Sequence, residues 1–204
     1  MSLIIIGGHS RNVGKTSVVA GLIAALPQFR WAAMKITQYG HGICSRNGEA
    51  CDCATADHSW AISEEADRSG KSDTSRFLLA GAARVWWVRT RQGSLAEAMP
   101  AVRRALAGSR NAILESNSVL KFLRPDLYLT VLDPTVADFK RSAQEFLDRA
   151  DAIILHPAKK PAVWDGVSLK PVAGRAVFSI SPPEYITPEL VAFVRAKLSA
   201  NSSG

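Results

Sequence analysis

The chain has 204 residues, 47% of them hydrophobic and 21% charged, a balance that suits one domain with a buried core. Its apolar runs are too short to span a bilayer, and the opening residues lack the basic-then-apolar pattern of a secretory signal, so a cytoplasmic protein is expected. The net charge of +7, from 25 basic and 18 acidic residues, favours anionic partners, but the basic residues are scattered and form no run of the kind that marks a nucleic-acid surface.

In chain order, LIIIG (3–7) reads as a buried strand and residues 15–26 as a helix ended by Pro27. WAAMKIT (31–37) is a second strand. Residues 38–60 mix glycines, cysteines and polar residues and read as a long loop, a class that in compact domains is usually functional or disordered. A helix is expected over 73–81, with Ser72 or Asp73 near its N-cap, then a strand over RVWWVRT (84–90) and a helix over 94–107. NAILES (111–116) and DLYLTVLD (126–133) are strands, the second stopped by Pro134. A helix over 137–149, a strand over 151–156 stopped by Pro157, a strand over 175–180 and a helix over 188–198 with Thr187 as N-cap complete the pattern, with a frayed tail from about 200 to 204.

No repeat and no separating linker is visible, so residues 1–204 are expected to form one domain. Strands alternating with helices predict an α/β fold of three layers, with a mostly parallel central sheet and helices on both faces. Ligands of such sheets bind beyond the carboxyl ends of the strands. The loops after residues 7, 37, 116, 133 and 156 should therefore share one functional edge.

The strongest motif lies on that edge. GGHSRNVGKTS (7–17) matches the phosphate-binding pattern G-x-x-x-x-G-K-[ST] except that His9 stands at the first glycine position. Phosphate binding needs backbone N–H groups facing the anion, a helix N-terminus behind them and a lysine that reaches the terminal phosphates. His9, Ser10, Arg11, Asn12, Val13, Gly14, Lys15, Thr16 and Ser17 are the candidate lining, with Gly7 and Gly8 easing the turn out of the strand. His9 is tolerable if its φ is negative. Mg²⁺ would take the Thr16 hydroxyl and a strand-end carboxylate, for which Glu115 is the best candidate. Asp133 ends another strand before a proline, and Asp73 would either cap its helix or contact the metal through water.

Four segments together resemble the SIMIBI class of P-loop NTPases and, within it, the MobB family of molybdopterin-guanine dinucleotide biosynthesis adaptors. They are IIIGGHSRNVGKTS; AAMKIT, where Lys35 matches a family lysine; SGKSDTSRFLLAGA (69–82), where Gly70, Lys71, Asp73, Arg76, Ala80, Gly81 and Ala82 lie on a family segment; and AILES, where Glu115 matches the family's glutamate. The resemblance covers roughly the first 120 residues with motifs and the rest by element order. It implies a slow GTPase or ATPase that acts as an accessory factor in molybdenum-cofactor maturation. Lys15, Glu115 and Asp73 would be its catalytic groups and Lys35 part of the nucleotide site. Its partners would be nucleotide and a cofactor-maturation enzyme or target metalloenzyme, and it would form a homodimer in which Arg11 could act across the interface. The family implies GTP, but HPAKK (156–160) stands where an N-K-x-D guanine signature would be, so GTP against ATP stays open.

One cluster is foreign to that pattern. Cys44, Cys51 and Cys53 form C-x₆-C-x-C in the long loop, and with His58 or His41 they could make a tetrahedral Cys₃His zinc site, with thiolate redox or persulfide chemistry as the alternative. A metallochaperone-type NTPase that uses this cluster is therefore a second reading. A binding module that uses nucleotide only to stabilise a complex is a third.

Overall fold

The computed structural model describes residues 1–39, 59–158 and 164–201. Its centre is an eight-stranded sheet built from β1 (Ser2–Gly8), β2 (Ala32–Tyr39), β3 (Trp60–Glu64), β4 (Arg84–Arg91), β5 (Asn111–Glu115), β6 (Leu127–Leu132), β7 (Ala152–Leu155) and β8 (Ala176–Ser179). The strand order is β3-β4-β2-β5-β1-β6-β7-β8. Every pairing is parallel except β3 with β4, which is antiparallel. The expected three-layer α/β architecture is present.

Side-chain alternation along the strands makes the three layers. Leu3 and Ile5 of β1 face one side, where they join Met34, Ile36, Trp86, Val88 and Leu114 beneath α3 (Leu95–Leu106). Ile4 and Ile6 face the other side, against α1 (Lys15–Ala25), α2 (Asp73–Leu79) and α5 (Pro188–Asn201). Strands buried on both faces read as continuous apolar runs, which is why LIIIG and LYLTVL are so uniform. No described helix is long and apolar enough to cross a membrane.

Three expectations change. β3 was not visible in the sequence, because WAISE is short, half-buried and pairs only at the sheet edge. The helix expected over 137–149 is reduced to α4 (Arg141–Gln144) and a 3₁₀ turn over Leu147–Arg149. The cause is tertiary: the carbonyl of Asp138 accepts from His9 Nδ1 at 2.8 Å, and the N–H of Lys140 donates to the His9 carbonyl at 2.8 Å. Backbone groups bonded to His9 are drawn away from the geometry of a continuous helix. The strand expected over 3–7, finally, runs on to Gly8, so the chain leaves it one residue later. Gly7 is required by close packing, since a Cβ there would lie 2.2 Å from Asn117 Oδ1 and 2.6 Å from Tyr128 Oη.

Candidate functional site

The parallel register brings the carboxyl ends of β1, β2, β5, β6 and β7 to one edge, as expected. There the chain leaves β1 at Gly8, passes through residues 9–14 and enters α1 at Lys15. Gly14 is the N-cap residue with φ 86°, and no side chain caps this helix end. Uncapped N–H groups and the helix dipole make an anion-binding terminus. Asn12 also has positive φ, at 57°, a conformation asparagine tolerates better than most residues. His9 does not, so it meets the condition set for it.

His9 acts as a clasp. It is buried, its Nδ1 donates to the Asp138 carbonyl at 2.8 Å and its Nε2 accepts from the Asp133 N–H at 3.0 Å. This pair of bonds selects one neutral tautomer. Ser10 Oγ adds a bond to Asp138 Oδ2 at 2.6 Å, and Phe139 and Trp164 flank the imidazole at 5.2 and 5.0 Å. A glycine could do none of this, so the replacement secures the loop to the β6–β7 connection. Burial pulls the His9 pKa below its ordinary 6.5, against the opposing pull of the Asp138 carbonyl and Asp133. A base whose folded pKa is depressed supports the fold fully above its unfolded value and loses that support as pH falls through the window below 6.5. His9→Gln, which cannot titrate, is expected to lose less melting temperature than wild type between about pH 7.5 and about pH 5.5. Equal losses in both proteins would refute the clasp's neutral state.

The charged groups converge from four elements on one face of the sheet. Lys35 lies two residues beyond Ala33, and Glu115 two beyond Ile113, so both side chains point to the side of α1 and α2. Thr16 Oγ1 donates to Glu115 Oε2 at 2.8 Å. Lys35 Nζ lies 3.2 Å from Glu115 Oε1 and 3.3 Å from Thr16 Oγ1, and it is paired with Asp73 Oδ2. Burial lowers the Lys35 pKa, but Glu115 and Asp73 outweigh it and hold the ammonium above the ordinary lysine value. Asp73 is the first residue of α2, whose N-cap is Ser72 in a reciprocal box with Ser75. The cap is thus Ser72, which leaves the Asp73 carboxylate for Lys35. Arg76, on the same helix, donates to Ser17 Oγ at 3.0 Å and ties α2 to α1.

Lys15 Nζ donates to the Ser10 carbonyl at 2.6 Å, folded back over the loop. Burial pushes its pKa down to about 8. Lys140 is also lowered, first by burial and then by Arg11 and Lys35, against Asp138 and Glu115. Sequence patterning gave no sign of Lys140, because its place depends on the bond from its N–H to His9. It brings a further cation beside Lys35 and exposed Arg11, with Asp138 and Glu115 as the neighbouring anions. Asn117, two residues beyond Glu115, was likewise missed. Its amide brackets Gly8, with Oδ1 accepting from the Gly8 N–H at 2.9 Å and Nδ2 donating to the Gly8 carbonyl at 2.8 Å. An asparagine after a strand gives no distinctive signal by itself.

On the opposite flank His156 Nε2 is 3.0 Å from the Val13 carbonyl, and its ring meets Tyr185 edge-on at 5.8 Å. Asp133 is turned to its own Thr135, whose N–H and hydroxyl it accepts at 2.9 and 2.6 Å, so it serves a turn. Trp86 is core, while Trp87 Nε1 donates to Thr37 Oγ1 at 2.6 Å. Cys44, Cys51, Cys53, His41 and His58 lie outside the described residues. Among the described residues, no group of three or more His, Cys, Asp and Glu side chains is placed to hold a metal.

No family model and no curated protein sequence matches the chain. Among solved structures, the chain is similar to the "apo" form of LpxK from Aquifex aeolicus in complex with ATP, at 18% identity and a TM-score of 0.48 over 88% of this chain. It is also similar to HypB from Helicobacter pylori in complex with nickel, at 15% identity and a TM-score of 0.45, over 97% of this chain and 85% of that one. The chain spans about half the length of the LpxK chain, 53%. Likeness at this level transfers no site and no activity.

Proposed function

We propose that the chain is a P-loop nucleotide-binding protein that takes a purine nucleoside triphosphate with Mg²⁺ and turns it over slowly. One observation carries the reading: Lys15, Thr16, Lys35, Asp73 and Glu115, drawn from four elements, meet at the uncapped N-terminus of α1. The backbone N–H groups of the loop and Lys15 would bind the phosphates, and Lys140 would add positive charge beside them. Thr16 and Glu115 suit Mg²⁺, because they present a hydroxyl and a carboxylate 2.8 Å apart, and Asp73 faces the same point through Lys35. Bound Mg²⁺ would neutralise phosphate charge. What the protein itself contributes is positioning and charge.

The finer reading is a GTPase or ATPase accessory factor in molybdenum-cofactor maturation, working in the cytoplasm as a homodimer on a maturation enzyme or metalloenzyme. Its support is the four-segment resemblance to the MobB family. Titration of the protein with fluorescent ATP and GTP analogues in Mg²⁺ tests both levels. Binding of either nucleotide in the micromolar range is expected, and a GTP preference would favour the finer reading. An ATP preference would remove the MobB analogy, and no binding of either would sink the nucleotide site itself.

A further inference from the structure

We infer that Lys35 is a tethered cation that fills the metal cage until a divalent ion displaces it. The inference rests on the nucleotide reading of the site and deepens it. The ammonium has three N–H donors, and the structure gives it three acceptors: Thr16 Oγ1 at 3.3 Å, Glu115 Oε1 at 3.2 Å and Asp73 Oδ2. These are hard oxygen atoms of the kind that hold Mg²⁺, a hydroxyl and two carboxylates from three separate elements. The other Glu115 oxygen accepts from the Thr16 hydroxyl at 2.8 Å, which links two of the three groups, and Asp73, 46% exposed, forms the open side. Glu115 and Lys35 are both largely removed from solvent, with side-chain exposures of 6% and 14%. Two carboxylates brought this close without a cation would repel each other, and Lys35 prevents that.

The arrangement has a consequence for order of binding. A divalent ion alone must expel an ammonium that already satisfies the cage. A divalent ion arriving with a nucleotide brings phosphate oxygens that the expelled ammonium can turn to. Lys35 is anchored on β2, and it stays within reach of the half-exposed Asp73 and of any phosphate held at the N-terminus of α1. Lys35 thereby couples metal entry to nucleotide entry.

Mn²⁺ titration of the nucleotide-free protein, followed by electron paramagnetic resonance, tests this directly. Wild type is expected to bind Mn²⁺ weakly, Lys35→Met at least tenfold more tightly, and Lys35→Arg no more tightly than wild type. Adding Glu115→Gln to Lys35→Met should abolish the gained site. If Lys35→Met melts at lower temperature without metal, Mn²⁺ should restore it. Equal Mn²⁺ affinity in wild type and Lys35→Met, or no restoration of a lowered melting temperature, would overturn the inference. The nucleotide titration stands apart: wild type that binds ATP or GTP while Lys35→Met gains no Mn²⁺ site sinks only the tethered-cation reading. A Mn²⁺ gain in a protein that binds neither nucleotide sinks only the nucleotide reading.

Discussion

Lys15→Ala is expected to weaken nucleotide triphosphate binding by about 100-fold while leaving the melting temperature unchanged or higher. The first half follows from charge-assisted hydrogen bonds to phosphate, each worth about 1.5–3 kcal/mol, with tenfold in affinity for every 1.4 kcal/mol. The second half follows from the nucleotide-free geometry. Burial pushes the Lys15 pKa down to about 8, so folding makes its charge harder to keep. The one hydrogen bond it makes in return goes to the Ser10 carbonyl at 2.6 Å. Removing the side chain relieves a desolvation cost and forfeits one bond, and the two roughly offset. A buried ammonium whose removal costs the fold little is free to serve a ligand, and the affinity half of the prediction tests that role. Parallel titration and thermal melts check both halves. Retained affinity would detach the loop from phosphate, whereas loss of affinity with a collapsed melting temperature would mean that Lys15 is a structural residue.

The parts of this molecule that could be read from its sequence are those set by short-range pattern. β1, β5 and β6 are uniform apolar runs because both their faces are buried, and GKT follows the first of them at the spacing a strand-loop-helix unit requires. Glu115 was legible because it ends such a run. Asp73 and Lys35 could be named, but not their pairing, since α2 and β2 are brought together only by the sheet. The His9 clasp was illegible for a related reason. His9 and Asp138 are 129 positions apart, and nothing in residues 137–140 signals that their backbone is committed elsewhere. Periodicity therefore favoured a helix that a tertiary hydrogen-bond pair prevents. Asn117 and Tyr185 belong to the same class: ordinary residues by composition, given a role by packing against Gly8 and Gly14.

Tyr185 makes the last large prediction. Gly14 has φ 86°, and a Cβ built there would lie 2.2 Å from Tyr185 Cε1 and 2.7 Å from Cδ1. Gly14→Ala thus carries two costs. The left-handed backbone adds about 1–2 kcal/mol for a residue with a Cβ, and overpacking adds about 1–3 kcal/mol. Together they should lower the melting temperature by roughly 5–15 °C for a chain of this size. The two costs are separable, because only the second involves the tyrosine. In the Gly14→Ala, Tyr185→Ala double variant, alanine at position 14 should cost no more than the backbone share, so the cycle should show about 1–3 kcal/mol of coupling. Additive losses would show that the ring moves aside freely and that the segment after β8 does not brace the loop. With coupling, a second reading becomes available from the same proteins. If the double variant regains most of the melting temperature but not the nucleotide affinity, the left-handed turn at Gly14 is needed to aim the loop's N–H groups at phosphate, independently of the packing behind it.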